Sequence, residues 1–258
     1  MVVCYNIGVM SKNDLSIEQQ LQEDEYEYPY HWAIKKSTQT GRLYFGYLDL
    51  AIKISTQLNN SKSVKVLDLG CGDARFLKEL QDRGYHNLYG IDYSERAISF
   101  AELLLPNVTF SSKNIANEAA YEDNYFDVIF MVETLEHIIP TEIPALLEQV
   151  KRMLKPGGEF IVTVPSDALP PGPKHYQHFS AQKLTDTLSP YFDVKEIVGQ
   201  DKMGFHPLKI YDKLIDNKIW TLKKLSRHYN LNIWPKYFNL CDNNKGRRVI
   251  SLATKPVQ

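Results

Sequence analysis

The stretch Val66-Leu67-Asp68-Leu69-Gly70-Cys71-Gly72 decides the reading of this chain, because Asp92 follows at the end of the next apolar segment. The run from Val64 to Leu69 has the continuous apolar character of a buried parallel strand. Gly70-Cys71-Gly72 forms a tight turn, and Ala74 to Arg83 has the periodicity of an amphipathic helix. Glycine in such a turn lets backbone amides approach a ligand, since no Cβ stands in the way. Leu88-Tyr89-Gly90-Ile91 is a second short strand that delivers Asp92. A carboxylate about 20 residues past a glycine turn is placed to accept hydrogen bonds from ribose hydroxyls. Arg75 stands where the dinucleotide fingerprint has its third glycine, so no pyrophosphate seat is implied. The pattern suits a nucleoside without phosphates.

Three further segments lie downstream: Tyr125 to Phe130, Met131-Val132-Glu133-Thr134-Leu135-Glu136-His137, and Met153 to Pro165 with its Pro156-Gly157-Gly158 turn. In this order and at this spacing, the four stretches resemble the class I S-adenosylmethionine-dependent methyltransferases over roughly residues 60–198. The resemblance implies an α/β, Rossmann-like fold with a seven-stranded, mostly parallel sheet and helices on both faces. It also implies S-adenosylmethionine as methyl donor and S-adenosylhomocysteine as product. The cofactor-binding residues it points to are Asp68, Gly70, Cys71, Gly72, Asp92, Tyr93, Asn114, Ile115 and Val132, with the ribose on Asp92 and the adenine between Asn114 and Ile115. Asn114 replaces the acidic residue usual in that family, but its amide oxygen still accepts from an amine.

The 258 residues suffice for one α/β domain with additions. A hydrophobic fraction of 43% and a charged fraction of 24% are ordinary for a soluble globular protein. A formal net charge of −1 and a pI near 6.7 argue against a nucleic-acid partner. Three widely spaced cysteines, Cys4, Cys71 and Cys241, make no disulfide framework and suit a reducing compartment. There is no basic-then-apolar leader and no apolar run of about 18 residues, so a cytoplasmic protein without a membrane partner is expected.

The expected organisation has four parts: an N-terminal arm with helices covering the cofactor (1–58), the cofactor-binding core (59–198), a helical insertion (199–246) and a final core strand (247–258). The aromatic cluster Tyr26 to Trp32 packs the N-terminal segment over the sheet or lines the acceptor pocket. Ser94 caps a helix running to Leu104, Val108 to Phe110 is a third strand, and Phe192 to Val198 a sixth. The insertion carries an amphipathic helical stretch from about Leu208 to Tyr229 and a break at Trp234-Pro235. It is too long for a structureless loop. Trp220, Leu222, Leu225, Tyr229 and Trp234 give it an apolar face that needs the core or a second subunit. A lid over the acceptor site and a dimer contact are both open, and the chain is expected to be a monomer or a homodimer.

Methyl transfer is an in-line displacement, so the protein orients the nucleophile and, for a hydroxyl, helps remove its proton. His137, after the fourth strand, is the expected general base. Glu133, Glu136 and His137 have the spacing of one helical face. With a histidine such as His178 they are the candidate set for a divalent metal, although no resident metal is expected. Tyr30, His31, Trp32, Tyr44, Tyr47, His175, Tyr176 and His178 are expected to line a polar-aromatic acceptor pocket. The leading expectation is O-methylation of a small molecule or a surface-glycan building block, for instance a sugar or phosphoramidate group. A metal-dependent RNA 2′-O-methyltransferase is the second reading and a non-catalytic scaffold the third. The intact Asp68, Gly70, Gly72 and Asp92 speak against a scaffold.

Overall fold

The computed structural model describes residues 16–114, 121–217 and 219–257. Eight strands form one sheet: β1 (Val66–Leu69), β2 (Leu88–Asp92), β3 (Thr109–Ser112), β4 (Phe126–Val132), β5 (Leu154–Pro165), β6 (Asp193–Lys202), β7 (Leu240–Cys241) and β8 (Gly246–Thr254). Their order is β3-β2-β1-β4-β5-β8-β6-β7. The first five run parallel, and β8 is antiparallel to both β5 and β6. Seven of these are the expected strands. The eighth, the two-residue β7, extends the β6 edge and was not anticipated, because so short a pairing leaves no period in the sequence.

Helices cover both faces. On one side α2 (Gln39–Ile54), α3 (Thr56–Asn60), α4 (Arg75–Asp82) and α5 (Glu95–Leu104) bury Phe45, Leu48, Leu58, Leu77 and Ile98 against the sheet. On the other, α6 (Ile143–Met153) and α7 (Ala181–Leu188) bury Leu146, Leu147, Val150, Leu184 and Leu188. Ser94 caps α5 by accepting from the Ala97 amide at 3.0 Å. A buried acid holds the α2–α3 corner to the sheet: Glu159 on β5 accepts from the Ser55 hydroxyl at 2.6 Å and from the Thr56 and Gln57 amides. A carboxylate at a helix start meets both the unpaired amides and the dipole.

The segment between β6 and β8 begins after Lys202 and is more broken than its periodicity predicts. It forms α8 (Pro207–Ile215), α9 (Lys223–His228), a π turn (Tyr229–Ile233) and α10 (Trp234–Tyr237). Asn217 interrupts it, its side-chain oxygen accepting from the amides of Ile219 and Trp220. Pro235 ends nothing: it sits in the first turn of α10, where a missing N–H costs no bond. Of the expected apolar face, Tyr229 and Trp234 are buried, whereas Trp220, Leu222 and Leu225 are about half exposed.

This segment docks on α2. Arg42 makes a two-pronged pair with Asp212 at 2.6 and 2.9 Å and donates to the Asn230 side chain. Asn230 in turn donates to the Ser37 carbonyl. Gly46 lets the two surfaces meet, because a Cβ there would stand 2.5 Å from the Asn239 side chain and 2.8 Å from the Trp234 ring. No helix among the described residues is long and apolar enough to cross a membrane.

Candidate active site

The carboxyl ends of β1, β2 and β4 open into a cavity of about 310 Å³. At its floor, β1 turns through Gly70 (φ +80°) and Gly72 (φ +52°), both left-handed. A Cβ on Gly70 would lie 2.3 Å from the Thr134 methyl, and one on Gly72 would lie 2.4 Å from the Tyr26 hydroxyl. The turn is therefore packed from both sides, and its Gly70 and Cys71 amides both donate to the Ile91 carbonyl. Asp92, at the tip of β2, clamps this floor: Oδ2 accepts from the Gly72 amide and Oδ1 from the Ser94 amide, each at 2.9 Å. Burial pushes its carboxyl up to about 6 even though the Ser94 and Gly72 amides pull it down. Asp68 is buried with Oδ1 lacking any partner, and burial and the nearby Asp92 charge both raise its pKa. A buried orphan acceptor beside a glycine turn fits a ligand carrying an amino group.

A short 3₁₀ turn, Tyr30–Ala33, locks onto this floor through Asp73. The His31 amide donates to Asp73 Oδ2 at 3.1 Å, His31 Nδ1 lies 3.0 Å from Oδ1, and the Trp32 indole donates to the Asp73 carbonyl at 2.9 Å. Tyr26, 3% exposed, reaches across to Gly72. Helix α1 (Ile17–Asp24), held by a Ser16–Gln19 capping box, supplies Gln19 and Gln22 to the cavity wall.

The wall facing this cover is the segment after β4. Glu133 has φ +51°, which is costly for a residue with a Cβ and concentrates at functional sites. Its carboxylate accepts from the Thr163 hydroxyl at 3.0 Å and from Arg248 Nε at 2.7 Å, while the guanidinium lies 4.5 Å over the Tyr47 ring. The kink means that Glu133, Glu136 and His137 do not share one helical face, since the 3₁₀ turn starts only at Leu135. The residues brought together are instead Glu136, His137 and His175, with one ligating atom of each within 4.8 Å of the others. His178 and Glu133 fall outside this group.

Of the expected cofactor residues, Asp68, Gly70, Cys71, Gly72, Asp92, Tyr93, Asn114 and Val132 all line the cavity. Ile115 lies outside the described residues. Of the expected acceptor residues, Tyr30, His31, Tyr44, Tyr47 and His175 line it as well. Trp32, Tyr176 and His178 stand behind the wall. Trp32 carries the Arg75 guanidinium, Tyr176 hydrogen-bonds Ser16 at 2.6 Å, and His178 holds His175 at 2.7 Å. Tyr26, in the aromatic cluster flagged above, lines the cavity, whereas Asp73, Thr134 and Arg248 were not expected as site residues. Only the proximity of Asp73 to the glycine turn could have flagged one of them. None of the described residues of the 203–245 segment lines the cavity.

Residues 42–200, more than half of the chain, match the family model described as a methyltransferase domain. The chain belongs to the S-adenosylmethionine-dependent methyltransferases. It is 34% identical over 139 residues to a 2-heptyl-1-hydroxyquinolin-4(1H)-one methyltransferase of Mycobacteroides abscessus, covering 51% of this chain and 60% of that protein. It is 29% identical over 161 residues to phosphoethanolamine N-methyltransferase 1 of Arabidopsis thaliana, covering 60% of this chain and 32% of that one. The chain thus spans less than two thirds of either relative. Among solved structures, the N-methyltransferase NodS of Bradyrhizobium japonicum in complex with S-adenosylhomocysteine superposes with a TM-score of 0.61. That match has 17% identity and covers 93% of this methyltransferase and 100% of NodS. The methyl donor of the family is S-adenosylmethionine, and the left-handed glycine turn, the orphan Asp68 oxygen and Asp92 are the features of this chain that suit it.

Proposed function

We propose that this methyltransferase acts on a small polar molecule, with surface-glycan building blocks among the candidates. The observation that carries this reading is a single cavity that joins the glycine turn and Asp92 to the Glu136–His137–His175 cluster. The sulfonium supplies an electrophilic methyl group. In the proposal, Asp68 holds its amino-acid end and Asp92 the ribose hydroxyls. Tyr93, Asn114 and Val132 bound the nucleoside, and Tyr30, His31, Tyr44 and His175 the acceptor.

His137 is the proposed proton acceptor. Its Nδ1 lies 2.8 Å from the Lys174 carbonyl, which can only accept, so the ring proton stays on Nδ1 and Nε2 offers a lone pair. Burial lowers the His137 pKa, which keeps that lone pair available at neutral pH. Burial and the nearby Glu133 charge raise the neighbouring Glu136 carboxyl well above the usual range, and an imidazolium 4.0 Å away favours its ionised form. The His137→Gln variant should lose about a hundredfold in turnover while still binding cofactor. The check is release of S-adenosylhomocysteine in the presence of pooled small acceptors. Release that never rises above the acceptor-free rate, with cofactor bound, would overturn the reading.

A further inference from the structure

The segment from 203 to 245 differs in charge from the rest of the chain. It holds eight lysines or arginines against three aspartates, a net charge of +5 in a protein whose total is −1. Its acids are already engaged. Asp212 is tied to Arg42, Asp216 accepts from the Thr221 and Ser226 hydroxyls, and Asp242 pairs with Lys245. Lys213, Lys223, Lys224 and Arg227 are exposed, and no ion pair among the described residues involves them.

The same segment carries an apolar surface. Ile210 and Leu214 stand one turn apart on α8, opposite the Asp212 that faces α2, and are 48% and 60% exposed. The Trp220 indole donates to the Leu214 carbonyl at 2.9 Å, and the Leu222 amide to the Ile215 carbonyl at 2.7 Å. These bonds bring Ile219, Trp220, Leu222 and, one turn further, Leu225 to one corner, and all four are exposed. An exposed tryptophan whose N–H is already satisfied gives up no hydrogen bond when its ring enters an apolar phase.

An apolar corner edged by unpaired cations must be matched in both respects. A second copy in a two-fold contact would press one positive surface against another. A nucleic acid would answer the charge and leave the aliphatic side chains nothing to bury against. The surface of an anionic bilayer answers both, with headgroup phosphates for the lysines and the acyl boundary for tryptophan, leucine and isoleucine.

We propose that the corner between α8 and α9 seats this methyltransferase on an anionic lipid surface. The contact is peripheral, since no helix among the described residues is long and apolar enough to cross a bilayer. It replaces the expectation of a chain without a membrane partner. Helix α2, on which the segment is docked, also supplies Tyr44 and Tyr47 to the cavity, so lipid contact tethers the pocket along with the segment.

The test sediments the full chain with vesicles of equal parts phosphatidylglycerol and phosphatidylcholine. The protein should pellet with these vesicles, stay in solution with phosphatidylcholine alone, and bind more weakly in molar salt. Tryptophan emission should move to the blue on binding, a shift that Trp220→Phe lacks. Combining Lys223→Gln, Lys224→Gln and Arg227→Gln should weaken binding at least about tenfold. Combining Leu214→Ser and Trp220→Ser should do the same. These side chains are exposed and outside the cavity, so both variants should melt close to the wild type and bind S-adenosylhomocysteine as it does. Equal pelleting with both vesicle types, or with neither, overturns the proposal; in the second case binding of a DNA duplex would give the surface to nucleic acid. Undiminished binding by the Leu214→Ser, Trp220→Ser protein overturns it too, because charge alone would then make the contact. So does a wild-type dimer that the same two changes dissolve, which would assign the corner to a second copy.

Discussion

Asp92 performs two tasks with one carboxylate. Each oxygen accepts one backbone amide, Gly72 or Ser94, and each retains a second lone pair for a ligand hydroxyl. Replacing it with alanine should weaken cofactor binding at least about tenfold, because each lost hydrogen bond contributes roughly 0.5–1.5 kcal/mol; calorimetry checks this. Burial lifts its pKa from 3.8 to about 6 in the folded chain. The folded protein therefore holds a proton that the unfolded chain has already released. That contribution to stability is full below about pH 4 and is lost as the pH rises to about 6. Asp92→Asn should lack this slope when the Tm of both proteins is followed from pH 4 to 8. Cofactor affinity should move the opposite way, rising through the same window as the carboxylate ionises. Asp92 and the two glycines were legible in the sequence because strand period and glycine turn are local signals. Arg248 was not, since it reaches the site from the far end of the chain through tertiary packing.

Helices and strands with a full period were equally legible, and breaks within a period were not. The apolar spacing from Leu208 to Tyr229 continues across Asn217, so nothing in it reveals that a side-chain amide divides the segment into α8 and α9. The same segment was expected to pack its apolar face on the core or on a second subunit, and it packs on α2 through Arg42, Asp212 and Asn230. Arg42 and Asp212 are both about nine-tenths buried. Arg42→Ala leaves a buried acid without its cation and should cost about 3–5 kcal/mol. Protease cleavage within 203–245 should then accelerate while S-adenosylhomocysteine still binds, measured by limited proteolysis and calorimetry on the same sample.

Across the whole molecule, the cover over the cavity is tied to the loop after β5. The Ser16 hydroxyl meets Tyr176, Glu25 pairs with Lys174, and the Lys174 carbonyl fixes His137. A ligand that fills the cavity should slow cleavage of residues 16–33. At a hundred times its Kd it should add about 2.7 kcal/mol to the unfolding free energy, read by denaturant titration. The order of the sheet also has a consequence during synthesis. Among the described strands β8 comes after β5 and β6 in the chain, yet it lies between them in the sheet. While it is still on the ribosome, the nascent sheet has a gap at its middle, with two unpaired edges facing each other. Those edges are a hazard for pairing with another chain, and a holding chaperone would find its target there. Arrival of Gly246–Thr254 closes both edges in one late step.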